Sequence, residues 1–184
     1  MLNFIDTINK CLSTNQPVNI ATIVSHTGST PRTAGTQMLV MTGGNTLGTI
    51  GGGKVESEVI LAASELSGSG KAQIKSFDLN QSGAADDLDI ICGGHLSVLI
   101  ESVEATDDNQ TFFQDLGLQY RQNNDCRTIT ALSGAKSEFT VAGRYLIRND
   151  GSPQGYFPYP GRVLKQLISE THGQKTIVLQ AVDE

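Results

Sequence analysis

Apolar residues recur at two spacings along this chain, and the two alternate. Leu2, Ile5, Ile8 and Leu12 fall three or four apart, which predicts a helix over residues 2–14 with one buried face. Val18 to Ser25 is apolar and β-branched, as a buried strand would be. A turn-rich loop follows, His26-Thr27-Gly28-Ser29-Thr30-Pro31-Arg32. Gln37 to Thr42 and Thr46 to Ile50 read as a hairpin closed by Gly43-Gly44-Asn45. Gly51-Gly52-Gly53 then opens a second helix with Val55, Val59, Ala62, Ala63 and Leu66 on one face. Lys71 to Asp78 predicts a strand, Gln81 to Asp89 an acidic loop, and Ile90-Ile91-Cys92-Gly93-Gly94 leads into a strand over Leu96 to Glu101. Asp107 to Asn109 reads as a surface connection.

The second half repeats this order. Phe112, Phe113, Leu116 and Tyr120 follow the spacing of Phe4, Ile5, Ile8 and Leu12 at an offset of 108. Asn124 to Ser133 parallels Gln16 to Ser25, and Ala142 to Ile147 parallels Gly35 to Val40 at an offset of 107. Gly155 takes the place of Gly48, and Pro160-Gly161-Arg162-Val163 that of Gly52-Gly53-Lys54-Val55. Thr176 to Glu184 matches Leu96 to Glu104. Two degenerate copies of a helix–strand–hairpin–helix–strand unit are expected, with chance similarity of two α/β segments as the alternative. The fold class expected is mixed α/β (α+β): a mixed sheet with flanking helices. Residues 1–104 would form a motif-bearing lobe and 105–184 a second lobe packed against it.

Composition narrows the function. The net charge is −6 over 184 residues, with aromatics at 5% and no Trp, which argues against a nucleic-acid surface. Cys11, Cys92 and Cys126 include no CxxC pair, so neither a disulfide framework nor a structural zinc site is expected. Residues 1–9 lack a basic segment followed by an apolar run, and no stretch approaches the roughly 18 apolar residues of a membrane span. A soluble protein of a reducing cytoplasm is expected, without a membrane partner.

The candidate chemistry sits in the first copy, in three glycine-bearing segments. Gly51, Gly52 and Gly53 precede a helix whose first amides and dipole suit a phosphate, with Lys54 adding a full charge. Tight strand–helix packing is the alternative use of those glycines. Gly48 to Lys54 fits G-x-x-x-x-G-K, but Val55 stands where a Mg²⁺-holding hydroxyl would be, so phosphate contact without ATP hydrolysis is expected. Glu56 suits the helix start electrically. Ser29, Thr30 and Arg32 offer hydroxyls and a guanidinium able to fork onto an oxyanion. Cys92 stands beside Gly93 and Gly94, with room for a bulky group near sulfur, although a lone Cys is more often a small buried hydrophobe. His26 is a candidate base for it. Cys11 and Cys126 read as packing residues.

Taken in order, Gly28-Ser29-Thr30-Pro31-Arg32 with Gly35 and Met38, Gly48-Thr49-Ile50-Gly51-Gly52-Gly53 with Glu56, and Ile91-Cys92-Gly93-Gly94 resemble the N-terminal domain of the XdhC/CoxI family. These are accessory (maturation, chaperone-like) proteins of xanthine dehydrogenase, carbon monoxide dehydrogenase and related molybdenum hydroxylases. The resemblance implies binding of the molybdenum cofactor (molybdopterin), its protection or sulfuration, and delivery to an apo-hydroxylase, with a cofactor-sulfurating enzyme as second partner. It implies that Ser29, Thr30, Arg32, Gly51, Gly52, Gly53, Lys54, Glu56, Gly93 and Gly94 line the cofactor and that Cys92 approaches molybdenum. Longer members continue into a Rossmann domain, for which this chain shows no motif. The expectation is an accessory protein rather than a metabolic enzyme, with a homodimer left open. The alternatives are a phosphate-recognising hydrolase or transferase and a non-catalytic scaffold.

Overall fold

The computed structural model describes residues 1–79, 93–135 and 138–170. In chain order these form α1 (Leu2–Ser13), β1 (Val18–Gly28), β2 (Gln37–Met41), β3 (Thr46–Gly48), α2 (Gly53–Leu66), β4 (Lys71–Asp78), β5 (Gly94–Val103), α3 (Asp107–Arg121), β6 (Cys126–Ala135), β7 (Glu138–Arg148), β8 (Pro153–Gly155) and α4 (Gly161–Glu170). One sheet runs β3-β2-β1-β5-β4-β7-β6, with β8 added to β7. The expected α/β class holds, with helices flanking one sheet. The sheet is antiparallel at every described pairing rather than mixed.

The central strands are buried on both faces, which explains their nearly continuous apolar runs. Ala21, Ile23, Met38, Val40, Leu96, Val98 and Ile100 meet Val55, Val59, Ala62 and Ala63 of α2 on one side. Val18, Ile20, Leu39 and Val103 meet Ile5, Ile8 and Leu12 of α1 and Phe112, Phe113 and Leu116 of α3 on the other. Successive residues of β1 and β2 thus alternate between two cores, as the period of a strand requires.

The internal repeat is visible in the register. β2 pairs β3 with Met38 opposite Gly48, and β7 pairs β8 with Tyr145 opposite Gly155, the equivalent positions at an offset of 107. Gly48 (φ +88) and Gly155 (φ +98) share a left-handed conformation, and an added Cβ would run into the carbonyl oxygens of Gln37 and Arg144, again equivalent. Asn15 (φ 56) and Asn123 (φ 57) end the first helix of each copy in the same way. Thr176 to Glu184, expected as the last strand of the second copy, lies outside the described residues.

Three of the boundaries that differ from expectation have a local cause. β1 runs on to Gly28 because His26, Thr27 and Gly28 pair with Leu96, His95 and Gly94. β3 stops at Gly48, because the amide of Ile50 turns to a side chain of α2. Asp107 to Asn109 form the first turn of α3 rather than a connection, since Thr106 Oγ1 accepts from the Asn109 amide at 3.3 Å and Asp107 and Asp108 favour the positive helix end.

Candidate functional site

The last four residues of β1, Ser25 to Gly28, are exposed, although the seven before them are buried. The strand therefore projects past the core and carries the segment 28–32 to the surface. Pairing of Gly28 with Gly94 and a hydrogen bond from the Ser29 amide to the Gly93 carbonyl at 3.0 Å join this segment to the glycines of the third motif. The fit leaves no room for side chains: a Cβ on Gly94 would lie 2.8 Å from the Ser29 oxygen and 3.1 Å from Thr30 Cγ2. On the other flank Pro31 packs on the triple glycine, where a Cβ on Gly51 would lie 2.7 Å from Pro31 Cγ. Segments separated by some 20 to 60 residues in sequence thus meet at one end of the sheet.

The triple glycine is a backbone device first. Gly51, Gly52 and Gly53 have φ of 136, 81 and 57°, three successive values that side chains rarely adopt. This path turns the Ile50 and Gly52 amides toward one point, and Glu56 occupies it. Glu56 Oε1 accepts from the Ile50 amide at 3.0 Å and the Gly52 amide at 2.9 Å, and also from Thr49 Oγ1. Burial alone would raise the Glu56 carboxyl, but the Thr49 hydroxyl and the amides of Gly52, Ile50 and Gly51 outweigh it and hold it below its ordinary 4.5. Part of the amide nest offered to an external phosphate is therefore filled by a carboxylate of the same helix.

The other site residues divide into engaged and available groups. Thr30 Oγ1 donates to the Arg32 carbonyl at 2.9 Å and holds the turn. His26 Nδ1 accepts from the Ala34 amide at 3.1 Å, which leaves its proton on Nε2 and ties the far end of the loop. Arg32 and Lys54 are exposed, and neither has an ion-pair partner among the described residues. At Gly52 no atom of the described residues lies within 4 Å of an added Cβ. The site thus presents two cations without an ion-pair partner among the described residues, beside backbone that a ligand can approach closely. Cys92 lies outside the described residues, as does the expectation that it approaches a metal; its chain neighbour Gly93 is the residue bonded to Ser29.

The remaining cysteines are remote from this site. Cys11 and Cys126 are free and half-buried. Burial pushes both thiols up, with Lys10 partly offsetting it at Cys11, and Asp115 and Asp125 adding to it at Cys126. Both stay protonated and pack against the core between α1, α3 and the sheet.

Two of the three converging segments lie in the stretch that relates this chain to known proteins. Residues 11–78 match the XdhC and CoxI family. This XdhC/CoxI stretch runs from the end of α1 to the end of β4 and contains the Ser29–Arg32 turn and the triple glycine with Glu56. Over 86 residues the chain is 41% identical to "Uncharacterized protein YqeB" of Escherichia coli (strain K12), which takes in 47% of this chain and 16% of the relative. A crystal structure described as a xanthine dehydrogenase from Bacillus halodurans shares the fold at a TM-score of 0.69 and 21% identity, covering 89% of this chain and 46% of that one. The chain spans less than half the length of either protein. No described helix is long and apolar enough to cross a membrane.

Thr49 was missed by sequence reasoning as a partner of Glu56, although it stands within the motif quoted for the family. The only local signal is a hydroxyl residue seven positions before a carboxylate, across a glycine run.

Proposed function

We propose that this chain is an accessory protein of a molybdenum hydroxylase of the xanthine or carbon monoxide dehydrogenase type, and that it holds the molybdenum cofactor where the three motifs meet. The observation that carries the reading is their convergence: Pro31 on Gly51, and Ser29 on Gly93. The family match covers two of them. The cofactor would supply a pterin, a terminal phosphate and the dithiolene-bound metal; the chain's residues do the holding.

The residues fit that group with one reassignment. Glu56 takes the Ile50 and Gly52 amides, so the phosphate falls to Arg32 and Lys54, which have no ion-pair partner among the described residues, with the Ser29 hydroxyl as a further donor. Open backbone at Gly52 lets a flat ring system approach. Cys92, next to Gly93, is the soft ligand for the metal or its sulfur. The partners on this reading are an apo-hydroxylase and a cofactor-sulfurating enzyme, all in the cytoplasm. A nucleotide hydrolase is less well supported, because Val55 is buried in the α2 core and offers no metal ligand, and Glu56 places negative charge in the nest.

The test is to purify the chain from cells that make the cofactor and to measure pterin fluorescence after oxidation. Wild type should retain pterin, and Arg32→Ala with Lys54→Ala should reduce retention about tenfold or more, as loss of charge-assisted contacts would. Cys92→Ala should lower bound molybdenum more than Cys11→Ala does. Pterin absent both from the purified protein and from protein refolded with cofactor refutes the proposal. Equal metal retention in the two cysteine variants removes Cys92 from the site.

A further inference from the structure

The sheet ends on β6. β7 pairs along one edge of this strand from Cys126 to Ala135, and among the described residues no strand pairs along the other. In the first copy the corresponding strand is β1. The equivalence holds residue by residue: β1 sets Val18 to Thr22 against Met41 to Gln37, and β6 sets Cys126 to Thr130 against Arg148 to Arg144, at offsets of 108 and 107. The second edge of β1 carries β5, and the two strands together seat Val55, Val59 and Ala63 of α2. α4, the counterpart of α2, has Val163, Leu164 and Ile168 only half-buried. An edge of this length with one charge, Arg127, and no Pro is open to a further strand.

The sequence after α4 has the character of such a strand. Thr176-Ile177-Val178-Leu179-Gln180-Ala181-Val182 holds five apolar residues in seven, and four are β-branched, the composition of a strand covered on both faces. Its direction follows from α4. Tyr159, just before the helix, donates its hydroxyl to the Leu132 carbonyl, whereas the Ile168 carbonyl, near the helix end, accepts from Arg127 Nη1 at 2.9 Å. α4 thus runs antiparallel to β6 and delivers the chain beside the start of β6. A strand that begins there and follows the open edge runs parallel to β6. An antiparallel course, copied from β5, would first return the chain along β6, about 20 Å from the level of Arg127 to that of Ser133. Residues 171–175 span at most about 18 Å, with nothing left for a turn. β5 meets β1 antiparallel only after β4 and residues 79–93 have carried the chain to the far end of the sheet.

We propose that the open edge of β6 is the docking site of residues 176–184, which add to it as a parallel strand and complete the seat of α4. The added strand takes the place that β5 holds in the first copy, with its direction reversed.

Nuclear magnetic resonance of the full, isotopically labelled chain tests this. Backbone Overhauser contacts should join Thr176 and Ile177 to the Arg127 end of β6, and Asp183 and Glu184 to Ser133 and Gly134. Val178→Pro removes an amide from the middle of the added strand and should raise hydrogen exchange of the β6 amides about tenfold or more. The β2–β3 hairpin lies at the other end of the sheet, so its exchange should not change, and it reports that the variant is folded. If Val178→Pro does not fold, the wild-type contacts decide. Contacts that join Asp183 to Arg127, or β6 exchange unchanged in a folded Val178→Pro, overturn the proposal. So does β6 protection that falls on dilution together with a dimer in size-exclusion chromatography, because a second copy then holds the edge.

Discussion

Replacing Glu56 by Gln is the sharpest probe of how the triple-glycine turn is held. The side chain keeps its shape and one carbonyl oxygen, so the hydrogen bonds from Ile50, Gly52 and Thr49 can persist as neutral ones. What is lost is the charge assistance on those bonds and the attraction of a carboxylate to the α2 N terminus. Charge-assisted bonds exceed neutral ones by about 1 kcal/mol, and the dipole adds some tenths, so with partial exposure the change should cost about 1–2 kcal/mol at neutral pH. For a chain of this size that is a fall in Tm of about 3–6 °C. The sign with pH follows from the lowered carboxyl: the stabilisation is complete above the ordinary 4.5 and disappears as pH falls through the lower folded value. Urea titrations of wild type and variant should therefore differ near neutral pH and converge as the pH is lowered through the folded value of Glu56, below which both side chains are uncharged. A difference that was the same at both pH values, or none at neutral pH, would refute a charged cap on these amides.

Two further outcomes follow from the packing. Gly94→Ala places a methyl against the Ser29 oxygen and Thr30, so it should cost about 1–3 kcal/mol by urea denaturation and lower pterin retention with it, as overpacking against backbone does. Met38→Ala, fully buried between β2 and α2, should cost about 2–5 kcal/mol in the same assay, while Leu61→Ala, 67% exposed on α2, should stay within about 0.5 kcal/mol.

The periodicity of residues 2–14 and 18–25 made α1 and most of β1 legible, because side-chain spacing is set by the local geometry of helix and strand. The copy at offsets of 107 and 108 was legible for the same reason, since turn glycines and asparagines must recur wherever the same backbone path does. Antiparallel pairing throughout, and the order that puts β7 beside β4, were not, because sheet order is a choice among distant partners with similar edges. The glycine motif was visible but its occupant was not: only the folded turn shows Glu56 reaching back to the amides that its own sequence left open to a phosphate. Glu101 and Arg144 stand 43 residues apart, on β5 and β7. Their pairing follows from the strand order, which sets β5 and β7 on either side of β4. Local backbone preference lies in each short stretch of residues, whereas contact between stretches depends on cooperative burial of the whole chain.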